Sequence, residues 1–218
     1  MRLLMTGLAL LGAAPAWADE QLWFVNQLRA DIDDRWSVQF EWQPRLTNGA
    51  SRLGDNLFGP WLSYRIDDRV TISGAYTAAI TNPRGPLIRR EHRFTQQLQI
   101  RLLGEARGTR LTSRTRLEQR LVENNDDPAM RFRQMLRLDV PVDGNWTVLA
   151  SGEAFFGLES ARWGLSSGLD QFRTMAGVNY RVSRQMFVEV AVQDQRFSRP
   201  FPQPPNQVGI LTLNYSLN

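Results

Sequence analysis

The sequence contains no cysteine and no lysine, and a single histidine in 218 residues. Without thiols there are no disulfides and no thiolate metal centres. One histidine cannot build a histidine-clustered transition-metal site. All 26 basic residues are therefore arginines, set against 22 acidic residues. Genomic base bias produces such a repertoire as readily as function does. The net charge of +4 is modest, and the arginines are spread along strand-like segments rather than gathered in a stripe. That does not suggest a nucleic-acid binder, and no nucleic-acid partner is expected. No phosphate-binding glycine loop and no nucleophile motif is present, and no cofactor is expected. No apolar run approaches the ~20 residues of a spanning helix.

What is present begins with a targeting signal. Arg2 supplies a short positive region, Leu3 to Ala14 an apolar run, and Ala16-Trp17-Ala18 a small-x-small cleavage site. This is the three-part pattern of a secretory signal peptide. Residues 1–18 are expected to be cleaved, leaving 19–218 as a single domain.

The centre of the chain, Glu91 to Val140, holds three segments that alternate at period two. In the first, Glu91, Arg93 and Arg101 are odd, while Phe94, Leu98 and Ile100 are even. In the second, Arg110, Arg114, Arg116, Glu118 and Arg120 are even, against odd Leu111, Leu117 and Leu121. In the third, Arg131, Arg133, Arg137 and Asp139 are odd, against even Phe132, Leu136 and Leu138. Successive strand side chains point to opposite faces, so this is a meander with one apolar and one arginine-lined face. A soluble antiparallel sheet alternates in the same way.

The remainder separates the two readings. Strands of roughly 10–13 residues exceed the ~5–6 usual in soluble sheets and suit the ~9–11 of a tilted membrane strand. Short connections (DIDDR, DDR, GEARGT, PVDGN, SRQ) alternate with longer polar ones, as periplasmic turns and extracellular loops do. Aromatics such as Trp36, Tyr76, Trp146 and Tyr180 sit near strand ends, as interfacial girdles do. The fold class is therefore all-β: an antiparallel up-and-down transmembrane β-barrel of about 10–12 strands. Ten strands are clear from Trp36 onward. Leu22 to Ala30 alternates poorly and would start on the extracellular side, so it either joins the wall or folds inside or below a ten-stranded barrel.

The segments WSVQFEWQPR, EHRFTQQ, RTRLEQR, RFR and EVAVQDQ resemble the uncharacterised outer-membrane-barrel family known as domain of unknown function 2490. The resemblance covers nearly the whole mature chain. It implies the outer membrane of a Gram-negative bacterium and no defined activity.

The twelve charged residues named above form the expected lumen network, with Glu118 opposite Arg131 or Arg133. Arginine rings favour anions, so the lumen suggests a small anion-preferring channel. Pairing that closes the lumen suggests instead a structural membrane component. Glu153 and Glu189 share the lumen parity. An enzymatic alternative places lipid-modifying chemistry at His92, although the residue two further on is Phe94 rather than a serine. A soluble periplasmic β-protein is the third reading. Neither catalytic residues nor a metal site is expected, and ENNDDP reads as a polar loop. Expected partners are outer-membrane lipid, lipopolysaccharide and the barrel-assembly machinery. Gln96, Gln119 and Gln134 carry the lipid-facing parity and are expected near the extracellular strand ends, just above the apolar band.

Overall fold

A computed structural model describes residues 20–82, 88–106, 108–198 and 205–217. The expected signal peptide, 1–18, lies outside the described residues. Eleven strands follow one another: β1 (Gln21–Asp31), β2 (Trp36–Thr47), β3 (Arg52–Arg65), β4 (Val70–Thr81), β5 (Arg89–Gly104), β6 (Arg110–Val122), β7 (Ala129–Pro141), β8 (Trp146–Gly157), β9 (Gly168–Arg181), β10 (Met186–Phe197) and β11 (Asn206–Ser216). Among the described residues there is no helix. Each strand pairs with its sequence neighbours, and β1 pairs with β11 to close a barrel.

The strand count sets the geometry of closure. In an up-and-down chain, an odd number of strands leaves the first and last running the same way. The β1–β11 ladder is accordingly parallel, from Gln21 opposite Val208 to Arg29 opposite Ser216, while every other pairing is antiparallel. Residues 22–30 are thus a wall strand and not an insert. Their poor alternation has a direct cause. Trp23 faces inward and packs with Ala191, Val208 and Ile210, so β1 and β11 meet over an apolar patch inside an otherwise polar lumen.

The barrel is inside out relative to a soluble domain. Glu91, Glu118, Arg120, Arg131, Asp139 and Glu153 are buried. Phe40, Trp42, Leu136, Val190 and Val192 are exposed, together with many other large apolar side chains. A soluble monomer does not present an apolar belt of that extent, whereas lipid requires one. Closure meets the other demand of lipid, that backbone N–H and C=O groups pair within the protein.

Four of the five short turns use one device. Asp33 Oδ1 accepts hydrogen bonds from the N–H of Arg35 and Trp36, both at 2.7 Å. Asp67 Oδ1 accepts from Arg69 and Val70 at 2.7 and 2.8 Å. Asp143 Oδ1 accepts from Asn145 and Trp146, both at 2.9 Å. Ser183 Oγ accepts from Gln185 and Met186 at 3.2 and 3.0 Å. The segments IDDRW, IDDRV, VDGNW and VSRQM are therefore one Asx- or Ser-turn repeated. The connection after Gly104 differs: Gly104 itself is at φ +81°, where a Cβ would clash with the Thr109 carbonyl. A bulge between Arg101 and Leu103 precedes it.

Two expectations change. The β2–β3 connection is only residues 48–51, so loop lengths do not alternate strictly. Strand pairing runs on past a bulge at Arg45/Leu46, and the turn is closed by Asn48, Gly49 and Ala50 with φ of 57°, 64° and 57°. Asn and Gly enter that region most readily. Second, Gln96 and Gln134 lie mid-strand, between Phe94 and Leu98 and between Phe132 and Leu136 on the outer face. They sit within the apolar band, not above it. Gln119 lies nearer the loop end, opposite Phe94 and Met130.

The turn bonds give a pH signature. Backbone N–H groups of Trp36 and Arg35 hold the Asp33 carboxyl below the usual carboxylate range, and those of Asn145 and Trp146 do the same for Asp143. A carboxyl with a depressed folded-state pKa stabilises the fold at neutral pH and loses that effect as pH falls through the folded value. The hydroxyl turn at Ser183 does not titrate. Asp143→Ala is expected to lower the urea midpoint of the refolded barrel, and Asp143→Ser to keep most of it. At acid pH the gap between the wild type and Asp143→Ser should shrink.

Candidate functional site

Period-two alternation delivers side chains from odd positions of β5 and β7 and even positions of β6 to the same interior, where their charges meet in three groups. At the loop end, Glu91 accepts from two arginines. Arg93 donates through Nε and Nη2 at 2.8 and 3.1 Å, and Arg120 through Nε and Nη2 at 2.5 and 2.9 Å. In the middle, Glu118 stands in register with Arg131 and accepts from its Nε at 2.8 Å and from Arg133 Nη1 at 2.6 Å. Arg133 continues to Glu153 through Nε and Nη2, both at 3.0 Å, and Glu153 also accepts from Arg114 at 3.0 Å. At the turn end, Arg137 binds Asp139 at 3.0 Å and Glu189 at 2.7 Å, with Arg110 3.4 Å from Asp139. These are charge-assisted, often two-pronged contacts that suit the arginine fork.

Ten of the twelve expected network residues lie in these groups. Arg101 does not. It donates to the Asp68 carbonyl at 2.6 Å, at the exposed turn end. Among the described residues Arg116 has no carboxylate within ion-pair distance. It donates to Gln97 Oε1 at 2.6 Å, with its guanidinium 4.7 Å from the centre of the Trp61 ring.

The structure adds two arginines and a set of inward aromatics. Arg45 lies 3.7 Å over Trp23 and donates to Gln43 at 3.0 Å. Arg173 lies 5.3 Å from the same indole and 4.4 Å from Phe155, and donates to Gln171 at 3.0 Å. Arg133 lies 4.4 Å from Phe155 on the lumen side of β8. An arginine–aromatic ladder thus crosses the lumen from Arg45 to Arg133. Such contacts contribute ~0.5–2 kcal/mol each, most when desolvated. The buried Nε atoms of Arg45, Arg114 and Arg173 have no hydrogen-bond partner. Parity places both added arginines on the lumen face. The further signal in the sequence is an aromatic, Phe155, that follows Ser151 and Glu153 at the same parity.

Around the ladder lies a cavity of about 300 Å³, and toward the turns lie two more of about 530 and 250 Å³. All three share Gln27 and Arg114 in their walls, and the largest reaches Arg184 and Gln185 at the turn end. At the loop end, residues 158–167 fold back. Trp163 donates to the Asp127 carbonyl at 2.7 Å and lies 4.7 Å from the Arg120 guanidinium. Ala129, Ala161 and Leu165 pack beneath it.

His92 faces outward. Its Nδ1 is 2.7 Å from the Tyr76 hydroxyl and its Nε2 3.4 Å from Glu123, and its register partners are Ala78 and Leu121. Neither register partner is a serine. Among the described residues no cluster of metal-ligating side chains occurs.

Removing Glu118 alone leaves Arg131 without its carboxylate. Glu118→Gln is expected to destabilise the barrel by about 3–5 kcal/mol, read from urea unfolding in detergent or liposomes. Glu118→Gln combined with Arg131→Gln should recover part of that loss.

The comparisons agree with this architecture. An uncharacterized protein of Methylorubrum extorquens is 29% identical over 202 residues, covering 89% of this chain and 88% of that protein. Among solved structures, the NanC porin superposes with a TM-score of 0.53 at 9% identity, covering 88% of this chain and 91% of the porin. That likeness is one of fold. A family model described as protein of unknown function (DUF2490) matches residues 20–203, and the chain belongs to that family.

Proposed function

We propose that the protein is an integral outer-membrane barrel of a Gram-negative bacterium, exported by residues 1–18, whose lumen is a narrow anion-preferring path. The observation that carries this reading is that three arginines lining the mid-barrel cavity, Arg45, Arg116 and Arg173, have no carboxylate partner among the described residues. The paired arginines neutralise their acids and hold the wall. The unpaired ones leave net positive charge beside the mid-barrel cavity, where low-dielectric walls concentrate the field. The turn-side cavities form a vestibule, and Trp163 with its loop stands over the opposite end. Around the wall the partners are outer-membrane lipid and lipopolysaccharide, with the barrel-assembly machinery during insertion. The outward His92, held by Tyr76, is a structural group in this reading, and the protein is not an enzyme.

Planar-bilayer recording tests the proposal. Purified protein in a salt gradient should give small single-channel steps with a reversal potential on the anion side. Arg45→Gln with Arg173→Gln should move that potential toward zero, and His92→Ala should leave it unchanged. Absence of conductance would overturn the channel, and cation selectivity would overturn the preference.

A further inference from the structure

The outer face of β5–β7 carries polar side chains where lipid offers only acyl chains. Thr115 Oγ1 donates to Gln134 Oε1 at 2.7 Å, and Gln134 Nε2 donates to Ser113 Oγ at 2.8 Å. On the next strand Gln96, opposite Leu117, is exposed, and its amide has no hydrogen-bond partner among the described residues. All four lie mid-strand, flanked along their strands by apolar neighbours such as Phe94, Leu98, Phe132 and Leu136. Beside Gln96 runs an apolar groove of about 1030 Å³ over Gly74, bounded by Leu62, Phe94 and Leu117. A Cβ added at Gly74 would touch nothing, so the groove is open to a neighbour's side chains.

We propose that this face is the interface with a second copy of the same chain. The argument is one of depth and chemistry. An unpaired amide in hydrocarbon needs a donor and an acceptor, and at this depth only another protein supplies them. Copies inserted in one sense can be related only by an axis along the membrane normal, so mid-depth residues of one copy meet mid-depth residues of the other. A primary amide both donates and accepts, so Gln96 is complementary to its own image across a twofold axis. Polar groups and small residues are the features that associate spans in lipid. The proposal rests on the membrane-spanning barrel and is independent of whether the lumen conducts.

The absence of native cysteine makes the test direct. Gln96→Cys, oxidised in native membranes, should give a disulfide-linked dimer. Val190→Cys, at mid-height on β10 across the barrel, should give none. If Gln96→Cys fails to assemble, judged by heat-modifiable migration, Leu98→Cys replaces it on the same strip. Monomers from the β5 cysteine, or equal crosslinking from both walls, overturn the proposal. So does a monomer that retains lipopolysaccharide on this face. In labelled proteoliposomes, Gln96→Leu should weaken self-association about tenfold, within the range of interhelical polar contacts in lipid. An unchanged dilution curve would show that the amide does not hold the interface.

Discussion

Everything in this fold follows from the exclusion of water from the span. With no solvent to bond the backbone, a sheet in lipid has to close on itself. Closure divides each strand into a lipid side and a lumen side, and the division is absolute because the side-chain period is two. Apolar residues that a soluble domain would bury are outside, and the charges are inside. The absence of lysine gives those charges one chemistry. A guanidinium stays protonated and reaches two oxygens at once, and Glu91, Glu118, Asp139 and Glu153 are each held by two arginines.

The interior is therefore not a generic polar filling. Its three charge groups divide the lumen along its height. Arg133, bridging Glu118 and Glu153 while stacked on Phe155, ties three neighbouring strands at mid-height. Net charge beyond those pairs resides on arginines parked against Trp23 and Trp61. Aromatic faces hold a guanidinium in place without neutralising it. The pairs supply rigidity, and the stacked cations keep their charge.

Much of this was legible in the residues. Parity assigned the lumen and lipid faces of β5–β7 and put Glu118 opposite Arg131 or Arg133, because a one-residue register error would reverse a face; the ladder chooses Arg131. Less accessible was anything set by tertiary closure. Nothing local says that Trp23 turns inward, since its environment is made by β10 and β11 at the far end of the chain. The short 48–51 connection was hidden because LTNGASRLGD reads as loop, while pairing with neighbours extends strand structure into it. The depth of Gln96 and Gln134 depends on where the ladder registers, and a bulge at Arg101/Leu103 shifts that count on β5. The repeated Asx-turn was visible as IDDRW, IDDRV and VDGNW, but its equivalence with VSRQM emerges only from the shared hydrogen bonds.

The parallel seam differs from its ten neighbours in one further respect. Where two strands form a hairpin, the turn dictates which residues face each other. No turn joins β1 to β11, so side chains alone must choose the alignment, and Trp23 among Ala191, Val208 and Ile210 is the bulkiest key. The same indole is the platform for Arg45 and Arg173. A slip of one residue would carry it out to the lipid and strand two cations at once. Alignment of the last seam and placement of the Arg45 and Arg173 charges thus rest on a single side chain.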